Sequence, residues 1–271
     1  MAGKSAQDAE GRPGYSAPAL EKGLDVVELL ATVRGGMTIS EIATALDLSI
    51  SQIFRMIVVM ERRGWLFKDQ GDRYRVTYKV LDVAFKATPA QELAHVATPV
   101  MYTLSHDTNQ ACHLVVRQAA SGLVVVRQEG PGTIGFSLRP GTVVNLFSSS
   151  SGHVLLAFAE AAVTALVKSA PPEVDARKIQ KRLNLVRRQG YESQDSARVM
   201  GVRDISYPIF GFGGGIVAAL TIPYVTFIDG TRGVALEDAR KMLSVAAATI
   251  SQGLGAQSAA ASFASQPTEQ G

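Results

Sequence analysis

Between Ala19 and Arg34, apolar residues recur at Leu20, Leu24, Val27, Leu30 and Ala31, a spacing that draws one stripe along a helix. Gly35 and Gly36 end it. Thr38 or Ser40 can cap a second, short helix with Ile42, Ala43 and Leu46 inward, and Asp47-Leu48 predicts a tight turn. Ser49 or Ser51 then caps a third helix with Ile53, Met56, Ile57 and Met60 inward, ending at Gly64. A short helix, a tight turn and a longer helix in this order make a helix-turn-helix. The period then shortens. Trp65, Phe67, Tyr74 and Val76 flank Asp69-Gln70-Gly71-Asp72, which predicts a hairpin, a wing directly behind the third helix.

Near residues 86–92 the texture changes to strand-like runs, ACHLVV, LVVVRQ and IVAALTI, mixed with helical stretches. The expected helices are Leu93 to Ser105, 152–168, 176–190 and 236–252. The expected strands are two within 111–128, turning at Ser121-Gly122, then 205–209 and 216–222. The predicted organisation is a disordered arm (1–14), a winged helix-turn-helix domain (15–77), a linker helix (78–91), a larger α+β domain (92–255) and a disordered tail (256–271).

Composition narrows the classes. Of 271 residues, 46% are hydrophobic and 19% charged, enough to build cores and too apolar for global disorder. A single cysteine excludes a disulfide framework and a thiolate zinc cluster. The polar start MAGKSAQDAEGRPG carries no export signal, and no run approaches the ~20 apolar residues of a membrane span, so a cytoplasmic protein without a membrane partner is expected. A net charge of +3 identifies no partner. From Ser49 to Lys79, however, seven cations face three anions, so the positive charge gathers on the third helix and the wing, where a phosphate backbone would lie. Arg62 and Arg63 also complement the helix C-terminus.

The segment from ALEKGLDVVELL through TISEIATALDLSISQIFRMIVVMERRGWLFKDQGDRYRVTYKVLDVA resembles the winged helix-turn-helix of the IclR family of bacterial transcription regulators. The later stretches VVNLFSSSSGHVLLAF and VRRQGYESQDSARVMGVRDISYPIFGFGGGIVAALTIP resemble it too, so the likeness runs from about residue 17 to 255. It implies a second domain with a GAF-like fold, a central antiparallel sheet with flanking helices that binds a small effector. It also implies a homodimer or homotetramer on double-stranded DNA, and the family contains both repressors and activators.

For DNA, the first turn of the third helix points Gln52 and Arg55 outward, opposite Ile53 and Ile57. Arg can fork to guanine and Gln can pair with adenine. Ser51 and Arg55 match a hydroxyl residue and an Arg in the family pattern. Thr38, Ser40 and Ser49 are expected to donate to phosphates, and Lys68 and Arg73 to reach a neighbouring backbone. For the effector, Ser148 to Gly152 precede an apolar helix, whose N-terminal N–H groups favour an acid or other acceptor. The family's pocket positions fall near Ser149, Ser150, Gln194, Asp204 and Thr221, with Ile134, Phe136 and Val144 as apolar wall. Asp204 stands where a cysteine is common in the family, and it would repel a bare carboxylate unless compensated. Either it faces the pocket and meets a hydroxyl, amide or amine, or it points outward to Arg203.

Cys112-His113 is a poor nucleophile or metal pair, because strand neighbours face opposite ways. Cys112 is expected to be a buried small residue, and His95, His106 and His153 share no ligand spacing. GFGGGI at 211–216 lies between strand-like runs and predicts a turn rather than a phosphate loop. No catalysis, metal or cofactor is expected. The alternative function is a sensor whose winged helix docks a protein.

Overall fold

Helix α1 (Pro18–Thr32) opens with proline in its first turn, where the missing N–H is no loss. The computed structural model describes residues 17–87, 90–132, 135–159, 172, 174–228 and 233–256. The expected arm at 1–14, all but the first residue of the expected tail, and most of the expected helix beyond Phe158 lie outside these residues. The chain divides into two units, Met1–Thr88 and Pro89–Gly271.

In the first unit, Thr38 caps α2 (Ile39–Ala45) through a reciprocal box with Glu41. Asp47 takes a left-handed φ of 55° in the tight turn. Ser49 and Gln52 cap α3 (Ile50–Arg62) in the same reciprocal way. Strands β1 (Leu66–Lys68) and β2 (Tyr74–Val76) pair antiparallel as the wing. The core is Val26, Leu30, Ile42, Ile53, Ile57, Leu66 and Tyr74. Leu20 and Leu24 depart from the expected stripe: they are 63% and 53% exposed, because the inward face of α1 centres on Val26 and Leu30 instead.

Two helices fall within or enter the stretch expected as a linker helix, 78–91. Helix α4 (Lys79–Ala87) belongs to the first unit, and α5 (Ala90–Thr108) to the second.

The second unit is built on a six-stranded antiparallel sheet of β3 (Cys112–Gln118), β4 (Ser121–Gln128), β5 (Val143–Asn145), β6 (Glu192–Asp195), β7 (Val202–Phe210) and β8 (Ile216–Val225). Its spatial order is β5-β4-β3-β8-β7-β6. The β3–β4 turn lies at Ala119-Ala120 rather than at Ser121-Gly122. Ala119 takes φ 49°, while Gly122 sits inside β4, where a Cβ would meet Val144 Cγ2 at 2.5 Å and Val115 Cγ1 at 2.8 Å. The expected turn at 211–216 is present, closed by Gly214 N–H to Gly211 O.

One face of the sheet packs on α5 and α8 (Leu236–Gly253) through Leu114, Ile205, Leu220, Leu243 and Ile250. The other packs on α6 (Ser150–Phe158) and α7 (Ala176–Gln189) through Val115, Val154, Leu156, Leu183 and Ala219. Alternation along β3 sends Cys112 to the first face and His113 to the second. Burial pushes the Cys112 thiol up to about 12, which makes it inert. No described helix is by itself long and apolar enough to cross a membrane.

Candidate functional site

The first candidate surface is the outer face of α3. Burying Ile53 and Ile57 turns Ser51, Arg55, Val58 and Arg62 to solvent, with Phe54 and Val59 on their flanks. Arg55, Arg62 and Arg63 are exposed and, among the described residues, have no anionic partner. The other cations of the wing are engaged. Lys68 pairs with Asp72 at 2.5 Å, and Arg75 with Asp69 at 3.0 Å. Arg73 forks onto Glu41 at 3.0 and 3.2 Å and donates to Gly36 O at 3.1 Å.

Two expectations change accordingly. Arg73 holds the wing to α2 rather than reaching outward. Gln52 Oε1 accepts from the Ser49 N–H and hydroxyl, so this side chain has only its NH2 left for a base. Thr38 likewise accepts from Glu41 N–H, and Ser49 and Ser51 share a hydroxyl contact at 3.0 Å, while Ser40 is exposed.

The second candidate site is a cavity of about 130 Å³ on the α6 face of the sheet. Of the residues named for the effector, Phe136, Val144, Ser149, Asp204 and Thr221 line it. Ile134 lies outside the described residues. Ser150 is 1% exposed and does not reach the cavity; its hydroxyl faces the carbonyls of Glu192 and Asp204 at 3.5 Å each. Gln194 lines a wider neighbouring cleft of about 710 Å³, and its amide donates to Ser148 O at 2.9 Å. The α6 turn is set by Ser149, whose hydroxyl accepts from Gly152 N–H. Glycine is required at 152, because a Cβ there would fall 2.5 Å from Leu146 Cα and O.

Asp204 faces inward. Its neighbour Arg203 turns out and pairs with Asp195 at 3.1 Å. Burial pushes the Asp204 carboxyl up to about 6, against a Ser196 hydrogen bond and the charge of Arg198.

The sequence alone did not mark His113, Ser196 and Arg198 as lining this cavity, whereas Ser151 belongs to the serine turn it singled out. For His113 the signal was present: the alternation that buries Cys112 on one face points His113 to the other. Strand register then lines up His113, Thr221, Ser206 and Glu192 across β3, β8, β7 and β6, a row of buried polar side chains. Thr221 and Ser206 share a hydroxyl contact at 2.8 Å, and Glu192 bonds Arg182 and His153. No cluster of three or more His, Cys, Asp or Glu residues fit to hold a metal occurs among the described residues.

The chain thus combines a winged helix-turn-helix, with bare arginines on its third helix, and a sheet unit with a small polar cavity, the make-up of a DNA-binding regulator. Family profiles match accordingly. That for the IclR helix-turn-helix domain covers residues 19–70, and that for the bacterial transcriptional regulator IclR C-terminal domain covers 85–252. The chain belongs to the IclR family of transcription regulators and carries its DNA-binding helix-turn-helix.

It is 25% identical over 228 residues to the HTH-type transcriptional repressor AllR of Salmonella typhimurium, covering 78% of this chain and 84% of that one. It is 24% identical over 213 residues to the uncharacterized HTH-type transcriptional regulator RhmR of Escherichia coli, covering 76% and 82%. Among solved structures, it resembles an IclR homolog from Microbacterium hydrocarbonoxydans complexed with 4-hydroxybenzoate (TM-score 0.74, 22% identity, 87% and 98% covered). The IclR of Thermotoga maritima has the same fold (TM-score 0.65, 24% identity, 87% and 98% covered). The named relatives are transcription regulators rather than enzymes.

Proposed function

We propose that this regulator is ligand-responsive: it binds operator DNA through α3, and a small organic effector held in the 130 Å³ cavity adjusts that binding. The observation that carries the DNA half is the bare positive face of α3. Arg55 at its centre forks to a guanine, Val58 and Phe54 meet thymine methyls, and Arg62 and Arg63 meet phosphates. Lys68 on the wing exchanges Asp72 for a phosphate, and Thr38, Ser40, Ser49 and Ser51 supply further hydroxyls. Two copies, as a homodimer or paired into a homotetramer, would place their third helices at half-sites about 34 Å apart or multiples of it. The working division is a DNA-reading part (15–77), a connecting part (78–91) and an effector-binding part (92–255), acting in the cytoplasm.

The cavity favours an aromatic, hydroxylated or short-chain acid. A cavity of about 150 Å³ takes up benzene, so this one suits a ring of similar size. The structural relative that holds 4-hydroxybenzoate supports an aromatic acid. The test is fluorescence anisotropy on the duplex preceding the protein's own gene, with and without candidate acids, across a salt series. Tighter binding to that duplex than to random DNA, a steep salt slope and a shift on adding an acid are expected. Salt-insensitive binding would refute it.

A further inference from the structure

In the polar row across the sheet, three members are satisfied and one is not. Thr221 and Ser206 bond each other, and Glu192 is held by Arg182 and His153. His113 is 3% exposed, and its Nδ1 is buried without a hydrogen-bond partner. It is the only such side-chain atom among the described residues. Buried polar atoms are almost always paired in native proteins, and the ring that carries this orphan lines the cavity, so it points to a partner that arrives from outside and meets the nitrogen after a small turn of the ring.

From this geometry we infer that His113 is the deep anchor of the cavity and that its partner is an uncharged hydroxyl of the effector. This rests on the cavity being the effector site. The other end of the space carries the charges. Asp204 and the exposed Arg198 stand there, beside the Ser149 turn that opens α6. His113 and Asp204 lie two strands apart and are offset by two residues in register, roughly 12 Å between Cα atoms. A ring-sized molecule with two polar ends spans the gap once both side chains reach inward.

The ends are not interchangeable. Burial holds the imidazole neutral, with its pKa pushed down to about 4, so it offers a carboxylate no countercharge. Arg198 does. The effector therefore enters hydroxyl first, with its carboxylate left at the Arg198 end. Acids that lack the inner hydroxyl leave Nδ1 unpaired and bind more weakly.

The experiment is calorimetric titration of the full chain with benzoate and with its 2-, 3- and 4-hydroxy derivatives. Wild type is compared with His113→Phe and His113→Leu. Wild type should prefer one hydroxy isomer to benzoate by about tenfold or more. Both variants should lose that preference while holding benzoate within about threefold of wild type. At least one should melt no lower than wild type, because an orphan nitrogen has been replaced by carbon. A folded variant that keeps the hydroxyl preference overturns the anchor and leaves the effector site standing. Equal binding of benzoate and every hydroxy acid by wild type also overturns the anchor. Binding of none of these acids overturns the effector class, and the anchor with it.

Discussion

His153 Nδ1 lies 2.9 Å from Glu192 Oε2, and its Nε2 lies 2.9 Å from the carbonyl of Phe147, so one buried ring ties β6 to the turn before α6. Arg182 on α7 completes the arrangement with two 2.6 Å bonds to the same carboxylate. Burial opposes ionisation of Glu192. The bonds from His153 and Arg182 and the arginine charge outweigh it, holding the carboxyl below its ordinary range. A depressed carboxyl stabilises the fold above its unfolded pKa and loses that contribution as pH falls through the folded value. Glu192→Gln should therefore cost about 3–5 kcal/mol near neutrality, because it leaves a partly buried arginine without its partner. The cost should shrink in acid. Urea unfolding at pH 7 and pH 4 measures both, and equal losses at the two pH values would contradict the assignment.

Asp204 behaves in the opposite sense. Its carboxyl titrates near 6 in the folded chain, above the ordinary 3.8, so the folded state holds the proton more tightly than the unfolded one. Its ionisation therefore penalises folding above pH 6, and the penalty fades as pH falls from 6 toward 4. A shift of this size corresponds to roughly 2–3 kcal/mol. Asp204→Asn should raise the melting temperature by about 5 °C at pH 8 and leave it unchanged at pH 4. Wild type should also bind carboxylate effectors more tightly as pH falls through 6, and the Asn variant should not. Paired thermal-shift and titration series across pH 4–8 decide it.

Local period and punctuation made much of this architecture legible. Thr38, Ser49 and Gly64 bracket the helices, and the change from helical to alternating spacing marks the passage to the sheet. Partnerships between distant residues carry no such local signal. Nothing in the sequence near Arg73 shows that Glu41 will take its guanidinium, so it read as a DNA contact. The Gln52 side chain looked free because a capping box uses the same residue type as a base contact. Gln194 and Asp204 are register partners, but Gln194 bonds Ser148 O and falls into the neighbouring cleft. His113 needed the order β3-β8-β7-β6 before its row of buried polar neighbours existed at all.

Gly152 fixes how closely α6 approaches β5. Its ideal Cβ would sit 2.5 Å from the Leu146 backbone, and Leu146 is fully buried, so neither side has room to yield. Gly152→Ala should destabilise by about 1–3 kcal/mol through overpacking. It should also weaken effector binding, since Ser149 and Ser151 move with the turn. Gly213→Ala, in open space on the β7–β8 turn, is the matched control and should change stability by less than about 0.5 kcal/mol. Chemical denaturation of the pair is decisive, and a silent Gly152→Ala would show that α6 can slide.

Arg55 and Arg73 separate reading from bracing. Both are arginines of the winged unit, but Arg55 is exposed with no anionic partner among the described residues, whereas Arg73 joins β2 to Glu41 and Gly36. On the proposed reading, removing Arg55 deletes a base contact without disturbing the fold. Arg55→Ala should cost about 1–3 kcal/mol on the operator, far less on random duplex, with an unchanged melting point. Removing Arg73 frees the wing and the Glu41 carboxylate, which the Thr38 N–H and Arg73 hold below its ordinary range. Arg73→Ala should lower the melting point and weaken operator and random DNA alike, with little change in the salt slope. Lys68→Ala should flatten that slope by about one unit, because its Asp72 partner gives way to phosphate. Anisotropy on both duplexes at several salt concentrations, beside a thermal melt, sorts the three. Equal losses on operator and random DNA for Arg55→Ala would remove it from the reading head.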